Sequence, residues 1–112
     1  MKYRKLEKLV LKWAKKRGLL GENANVNKQA LKSASEMGEL CDAICKDDRP
    51  EQIDAIGDVM VTLIILANQL NLDLIDCLQV AYYVIRQRTG ETKNGVFIKD
   101  LPDPEEIFKK EK

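Results

Sequence analysis

Apolar positions recur at intervals of three and four over most of this chain, the spacing that predicts amphipathic helices. Leu6, Leu9, Val10 and Trp13 form the inward stripe of a first helix from about Lys2 to Arg17, and Gly18 ends it as a C-terminal glycine commonly does. A polar loop from Leu19 to Asn25 follows. A second helix is predicted from about Val26 to Cys45, with Leu31, Ala34, Gly38, Cys41 and Cys45 on its apolar face. Lys46-Asp-Asp-Arg-Pro50 breaks that pattern. Pro50 suits the first turn of a new helix and Glu51 its positive end, so a third helix runs to about Leu70. In its run from Val59 to Ala67 only Thr62 carries a polar group, and a helix that is apolar all round is a buried one.

Asn71-Leu-Asp73 is a short connection, and Asp73 is placed to cap a fourth helix ending near Arg88. Short connections favour antiparallel neighbours. The expected fold is therefore all-α, an antiparallel four-helix bundle-like unit. Thr89-Gly90 ends the last helix, and Asn94-Gly95 ahead of Val96-Phe-Ile98 is a hairpin signal. A short irregular or hairpin segment should close the domain, taken as residues 1–100. Residues 101–112 read as a tail: a linker at Pro102-Asp-Pro104, then a short or frayed helix.

Composition narrows the picture. A chain of 112 residues makes one domain, and domains of this size often gain stability by associating. Residues 1–17 hold eight Lys or Arg against one acid, so this segment carries +7 and the rest −6. A basic helix could meet nucleic acid or an anionic substrate. No nucleic-acid-binding module accompanies it, so nucleic acid is not the expected partner and a solvated helix face is. Cys41, Cys45 and Cys77 do not make an even disulfide set. The first two share an apolar helix face without His or a CxxC motif, which reads as buried thiols rather than a zinc site. The basic start lacks the apolar core of a signal peptide. The Val59–Ala67 run falls far short of the ~20 residues that cross a bilayer. The expectation is a cytoplasmic protein without a membrane partner.

The chemistry sits in the acids. At roughly 100° per residue, Asp54 and Asp58 share a stripe with Val61 and Ile65, so two carboxylates lead into the interior. An ionised carboxylate leaves water at a cost of several kcal/mol unless a partner offsets it. The chain has no His, and a hard cation such as Mg²⁺ prefers oxygen ligands. On the second helix Glu36 and Glu39 are neighbours, ~5–6 Å apart at Cβ. If the two helices run antiparallel, all four carboxylates can converge. Taken alone, however, Glu36 and Glu39 lie nearly opposite the Ala34–Cys41–Cys45 stripe, beside Lys28 and Lys32, and read as a solvated face.

Glu36-Met-Gly-Glu39-Leu40 followed by Asp54-Ala-Ile-Gly-Asp58-Val resembles the signature of the all-α nucleoside triphosphate pyrophosphohydrolases, most of all the MazG-like group with its short phage-type members. The family pattern is a Glu-x-x-Glu pair, a spacer, then Glu-x-x-Asp, and the resemblance extends from about Trp13 to Lys99. It implies metal ligands at Glu36, Glu39 and Asp58. Asp54 is carried as the fourth, although the family's third carboxylate would fall at Ala55. Ser35 and Tyr83 stand where many members have Glu and Asn. The implied activity is that of a hydrolase acting on acid anhydrides: Mg²⁺, with Mn²⁺ as the substitute, assists cleavage of a (deoxy)nucleoside triphosphate to the monophosphate and pyrophosphate. Glu36 or Glu39 would orient the attacking water or take its proton. Arg86, Arg88, Lys93 and Lys32 are candidates for holding phosphates, and Trp13 either stacks on the base or anchors the first helix. A homodimer or homotetramer is expected. The rival reading is a non-catalytic helical oligomerisation module whose acids are only surface.

Overall fold

A computed structural model of the chain describes residues 1–100. The proposed linker and tail helix at residues 101–112 lie outside them. By packing, the chain forms two compact units, Met1–Cys77 and the residues from Leu78 onward.

In the first unit α1 (Tyr3–Lys16), α2 (Val26–Cys45) and α3 (Arg49–Gln69) carry the structure. Gly18, at φ +77°, closes α1: the Leu19 amide donates to the Ala14 carbonyl oxygen and the Gly18 amide to that of Lys15, a left-handed cap that glycine adopts without a Cβ penalty. Asn25 and Asp48 cap α2 and α3 by accepting from the Lys28 and Glu51 amides. Pro50 occupies the first turn of α3, as its spacing implies. The apolar α3 is central and packs against both α1 and α2. Gln29 of α2 donates to the Thr62 carbonyl oxygen at 3.2 Å, and Gln52 of α3 donates to that of Ala43 at 3.3 Å. Early α2 thus meets late α3, and late α2 meets early α3, so the pair is antiparallel.

The inward faces differ from those the apolar stripes predict. On α1, Leu6, Leu9 and Trp13 are about half exposed, while Ala14 is fully buried. On α2 the predicted stripe of Leu31, Ala34, Gly38, Cys41 and Cys45 is exposed, and Gln29, Glu36 and Ala43 are buried instead. The physical reason is close approach. Ala14, Ala43, Ala55 and Ala67 are all buried, and small side chains let the helices meet where Leu would hold them apart. Ile64 and Ile65 fill the rest of the interior. All three cysteines are consequently free and exposed rather than buried.

Asp73 begins α4 (Leu74–Ile85) as expected, accepting from the Ile75 and Asp76 amides at 2.9 and 3.3 Å. None of the α4 residues is buried. In the second unit β1 (Gly90–Lys93) and β2 (Val96–Lys99) pair antiparallel. Asn94 and Gly95 both take positive φ, +51° and +78°, the geometry of a tight two-residue hairpin turn. A Cβ at Gly90 would run into the Ile98 carbonyl oxygen. The architecture is all-α with a small C-terminal hairpin. No single helix among the described residues is long and apolar enough to cross a membrane.

Candidate functional site

A cavity of about 530 Å³ opens between α1, α2 and α3. Asp58, Val61, Thr62, Ile65 and Gln69 form its α3 wall, one helix face at three- and four-residue spacing. Gln29, Lys32 and Glu36 face them from α2, and Trp13 and Leu19 close the side nearest α1. The cavity thus has an acidic end, where α2 and α3 bring Glu36 toward Asp58, and an apolar end beside Trp13.

Glu36 is the decisive residue. It is buried at 7% exposure although it is a carboxylate on a helix whose other face is apolar. Lys32, one turn earlier, places its Nζ 3.0 Å from Glu36 Oε1. The second oxygen, Oε2, is buried with no hydrogen-bond partner. The Lys32 ammonium holds the Glu36 carboxyl below the usual carboxylate range, and contact with Glu39 acts in the same direction. Glu39 shows the converse, its carboxyl pushed up by that contact. Glu39 is the more exposed of the two. Burial pushes the half-buried Asp58 up, and the charges of Asp54 and Glu36 add to it. Lys32 in turn is pushed up, first by Glu36 and more weakly by Glu39 and Asp58.

The four acids therefore feel one another as two pairs joined through Glu36 and Asp58. Among the described residues, no group of three or more His, Cys, Asp or Glu side chains is closed around a metal position. The all-oxygen donor set and the orphaned, buried Glu36 Oε2 nevertheless fit a hard divalent cation. Asp54 is exposed, and Ala55, where the family pattern has a carboxylate, is buried against the neighbouring helix.

Trp13 lines the cavity at 48% exposure, with the Arg17 guanidinium 5.4 Å from its ring centroid, so it is a cavity wall and not a core anchor. Lys32 lines the cavity as well, beside Lys28. Arg86, Arg88 and Lys93 belong to the second unit. There the Arg86 guanidinium lies 4.5 Å from the Tyr83 ring centroid, and Lys93 pairs with Val96 at the hairpin turn. Gln69, Thr62 and Asn23 also line the cavity and were not among the site residues drawn from the sequence. For Thr62 and Gln69 the usable signal was a polar side chain on the inward face of the apolar α3.

Compared with known protein families, residues 12–81 match the one described as phosphoribosyl-ATP pyrophosphohydrolase. An uncharacterized 18.2 kDa protein in the rep-hol intergenic region of Haemophilus phage HP1 (strain HP1c1) is 41% identical over 69 residues, covering 61% of this chain and 41% of the phage protein. The matched stretch thus spans about two-fifths of that relative's length. No solved structure matches the chain significantly.

Proposed function

The chain belongs to the phosphoribosyl-ATP pyrophosphohydrolase family, and from that premise we propose that it hydrolyses nucleoside triphosphates to monophosphate and pyrophosphate with the help of a divalent metal ion. The observation that carries the reading is Glu36: a buried carboxylate with one oxygen on Lys32, the other unpartnered, facing Asp58 in a cavity large enough for a nucleotide. A place in the short, phage-type MazG-like branch is part of the same proposal.

Glu36, Glu39, Asp54 and Asp58 would hold Mg²⁺ or Mn²⁺. When bound there, the ion supplies neutralisation of phosphate charge and a more acidic water. Glu36, fixed by burial and by Lys32, orients the acidic cluster. Glu39 is exposed, with free oxygens to take the proton of the attacking water. Lys28 and Lys32 bind phosphate oxygens at the cavity mouth, and Trp13 offers a ring face to the base. Arg86, Arg88 and Lys93 remain proposals for the outer phosphates. Leu31, Ile44, Ile53, Ile56 and Met60 are exposed apolar side chains on α2 and α3, and their burial in a homodimer or homotetramer is part of the same proposal. Three free thiols suit a reducing, cytoplasmic setting. A purely non-catalytic helical module would account for the apolar exterior but leaves the buried Glu36 unexplained.

The test is a panel of ribo- and deoxyribonucleoside triphosphates together with phosphoribosyl-ATP, each with Mg²⁺ or Mn²⁺ and product analysis. Pyrophosphate and a monophosphate are expected. Release from phosphoribosyl-ATP alone would move the substrate, and release from none would overturn the reading.

A further inference from the structure

At the end of the cavity away from the acids, the Gln69 carboxamide nitrogen donates to the Leu19 carbonyl oxygen at 2.9 Å. A carbonyl oxygen only accepts, so this contact decides which way the amide faces. The nitrogen is committed to Leu19, and Oε1 is what remains. That oxygen is buried and has no partner. Gln69 and Leu19 both line the cavity, with Trp13 and Ile65 as apolar neighbours. An oriented acceptor with an unfilled bond, set among apolar walls, is the arrangement by which a pocket reads a polar edge and rejects an analogue that lacks the matching donor.

Position along α3 says which part of a nucleotide arrives there. Asp58 and Gln69 lie on one face of the helix, separated by about 16 Å at ~1.5 Å per residue. With the polyphosphate at the acidic end, which rests on the function proposed above, the base is the part that reaches Gln69. We infer that Gln69 Oε1 accepts a hydrogen bond from the exocyclic amino group of the base, so that the site takes amino bases, cytosine or adenine, in preference to their oxo counterparts, uracil or hypoxanthine. The second lone pair of the Leu19 carbonyl adds another acceptor beside it, which suits an –NH₂ with two hydrogens. An oxo base would set its carbonyl oxygen against both acceptors.

The matched pairs dCMP/dUMP and AMP/IMP differ in each case at this group and in the proton on the adjacent ring nitrogen, and calorimetric titration with Mg²⁺ present measures their binding without turnover. The wild type is expected to favour the amino member of each pair at least tenfold. Gln69→Met, which keeps length but removes the Oε1 acceptor, is expected to lower the ratio severalfold. Equal affinity within both pairs in the wild type, preference for the oxo member, or an unchanged ratio in Gln69→Met overturns the assignment. A retained pairwise preference with no pyrophosphate released from any triphosphate would instead overturn the hydrolase reading and leave Gln69's role standing.

Discussion

Lys32 and Glu36 form an ion pair one turn apart on α2, 3.0 Å from Nζ to Oε1, in which the carboxylate is buried and the ammonium is largely in solvent. The pair balances the charge of the Glu36 carboxylate but leaves Oε2 without a hydrogen-bond donor. A buried acceptor left unpaired is destabilising, and its presence here points to work done on a ligand. Glu36→Gln is expected to lower kcat/KM for pyrophosphate release by about 10²-fold or more, the scale of losing a positioned catalytic group, without lowering Tm in metal-free protein. Lys32→Met is expected to lower that Tm, because the whole carboxylate is then left without a counter-charge. Turnover within about threefold of wild type in Glu36→Gln would place this residue outside the reaction.

Asp58 is half-buried and its carboxyl is pushed up by burial and by Asp54 and Glu36. A divalent ion binding the folded state alone raises stability as RT ln(1 + [L]/Kd), about 2.7 kcal/mol at 100-fold saturation. Titration with Mg²⁺ or Mn²⁺ is therefore expected to raise Tm in wild type and to leave Asp58→Asn flat. Equal shifts in the two proteins would mean that the ion sits elsewhere.

Much of the fold was legible because local signals agreed: Gly18, Asp48-Arg-Pro50, Asp73 and Asn94-Gly95 each mark a boundary that the chain adopts. The facing of α1 and α2 was not legible. Periodicity reveals a stripe but not what covers it, and the strongest stripes here, Leu6–Leu9–Trp13 and Leu31–Ala34–Cys41–Cys45, lie outside this chain's own interior. The true contact line runs through alanines, which contribute little to any hydrophobic pattern. The site suffered in the same way. Glu36 read as solvated because it lies opposite the apolar stripe, and that position is the inward one. Arg86 and Arg88 were legible as cations, and both belong to the second unit.

Those outward stripes separate two kinds of apolar residue. Ile64 is 6% exposed, and Ile64→Ala is expected to cost about 2–5 kcal/mol in denaturant unfolding, the range for emptying a core position. Ile53 and Ile56 are 64% and 55% exposed. Paired substitution by Glu there is expected to leave the helical content intact and to shift sedimentation from oligomer to monomer. An unchanged sedimentation profile would remove this face of α3 from any assembly.

Tyr3 donates to Glu7 Oε2 at 2.6 Å, and burial together with that contact pushes its pKa up from 10 to about 12. The folded state holds this proton more tightly than the unfolded chain does. The stabilisation is thus complete below pH 10 and is lost as pH rises from there through about 12. Tyrosinate absorbance is expected to show a late step near pH 12 that vanishes in Tyr3→Phe. A wild-type titration finished by pH 10.5 would contradict the contact.

Asp73 carries the opposite sign. Arg4 donates to its Oδ2 at 2.8 Å, and that guanidinium, aided by the two α4 amides, holds the Asp73 carboxyl below the usual range. The folded state releases this proton more readily than the unfolded chain, whose Asp titrates near ~3.9. The contribution is therefore fully present above that pH and is lost as pH falls below it through the depressed value. Both partners are well exposed, so solvent screening keeps the effect small. Comparing Tm between pH 5 and 2 in wild type and Asp73→Asn isolates it: the two curves are expected to converge as pH falls, and to converge sooner in an Arg4→Ala background. Parallel curves over that range would show that the pair adds nothing to the acid side of stability and that Asp73 acts only as the cap of α4.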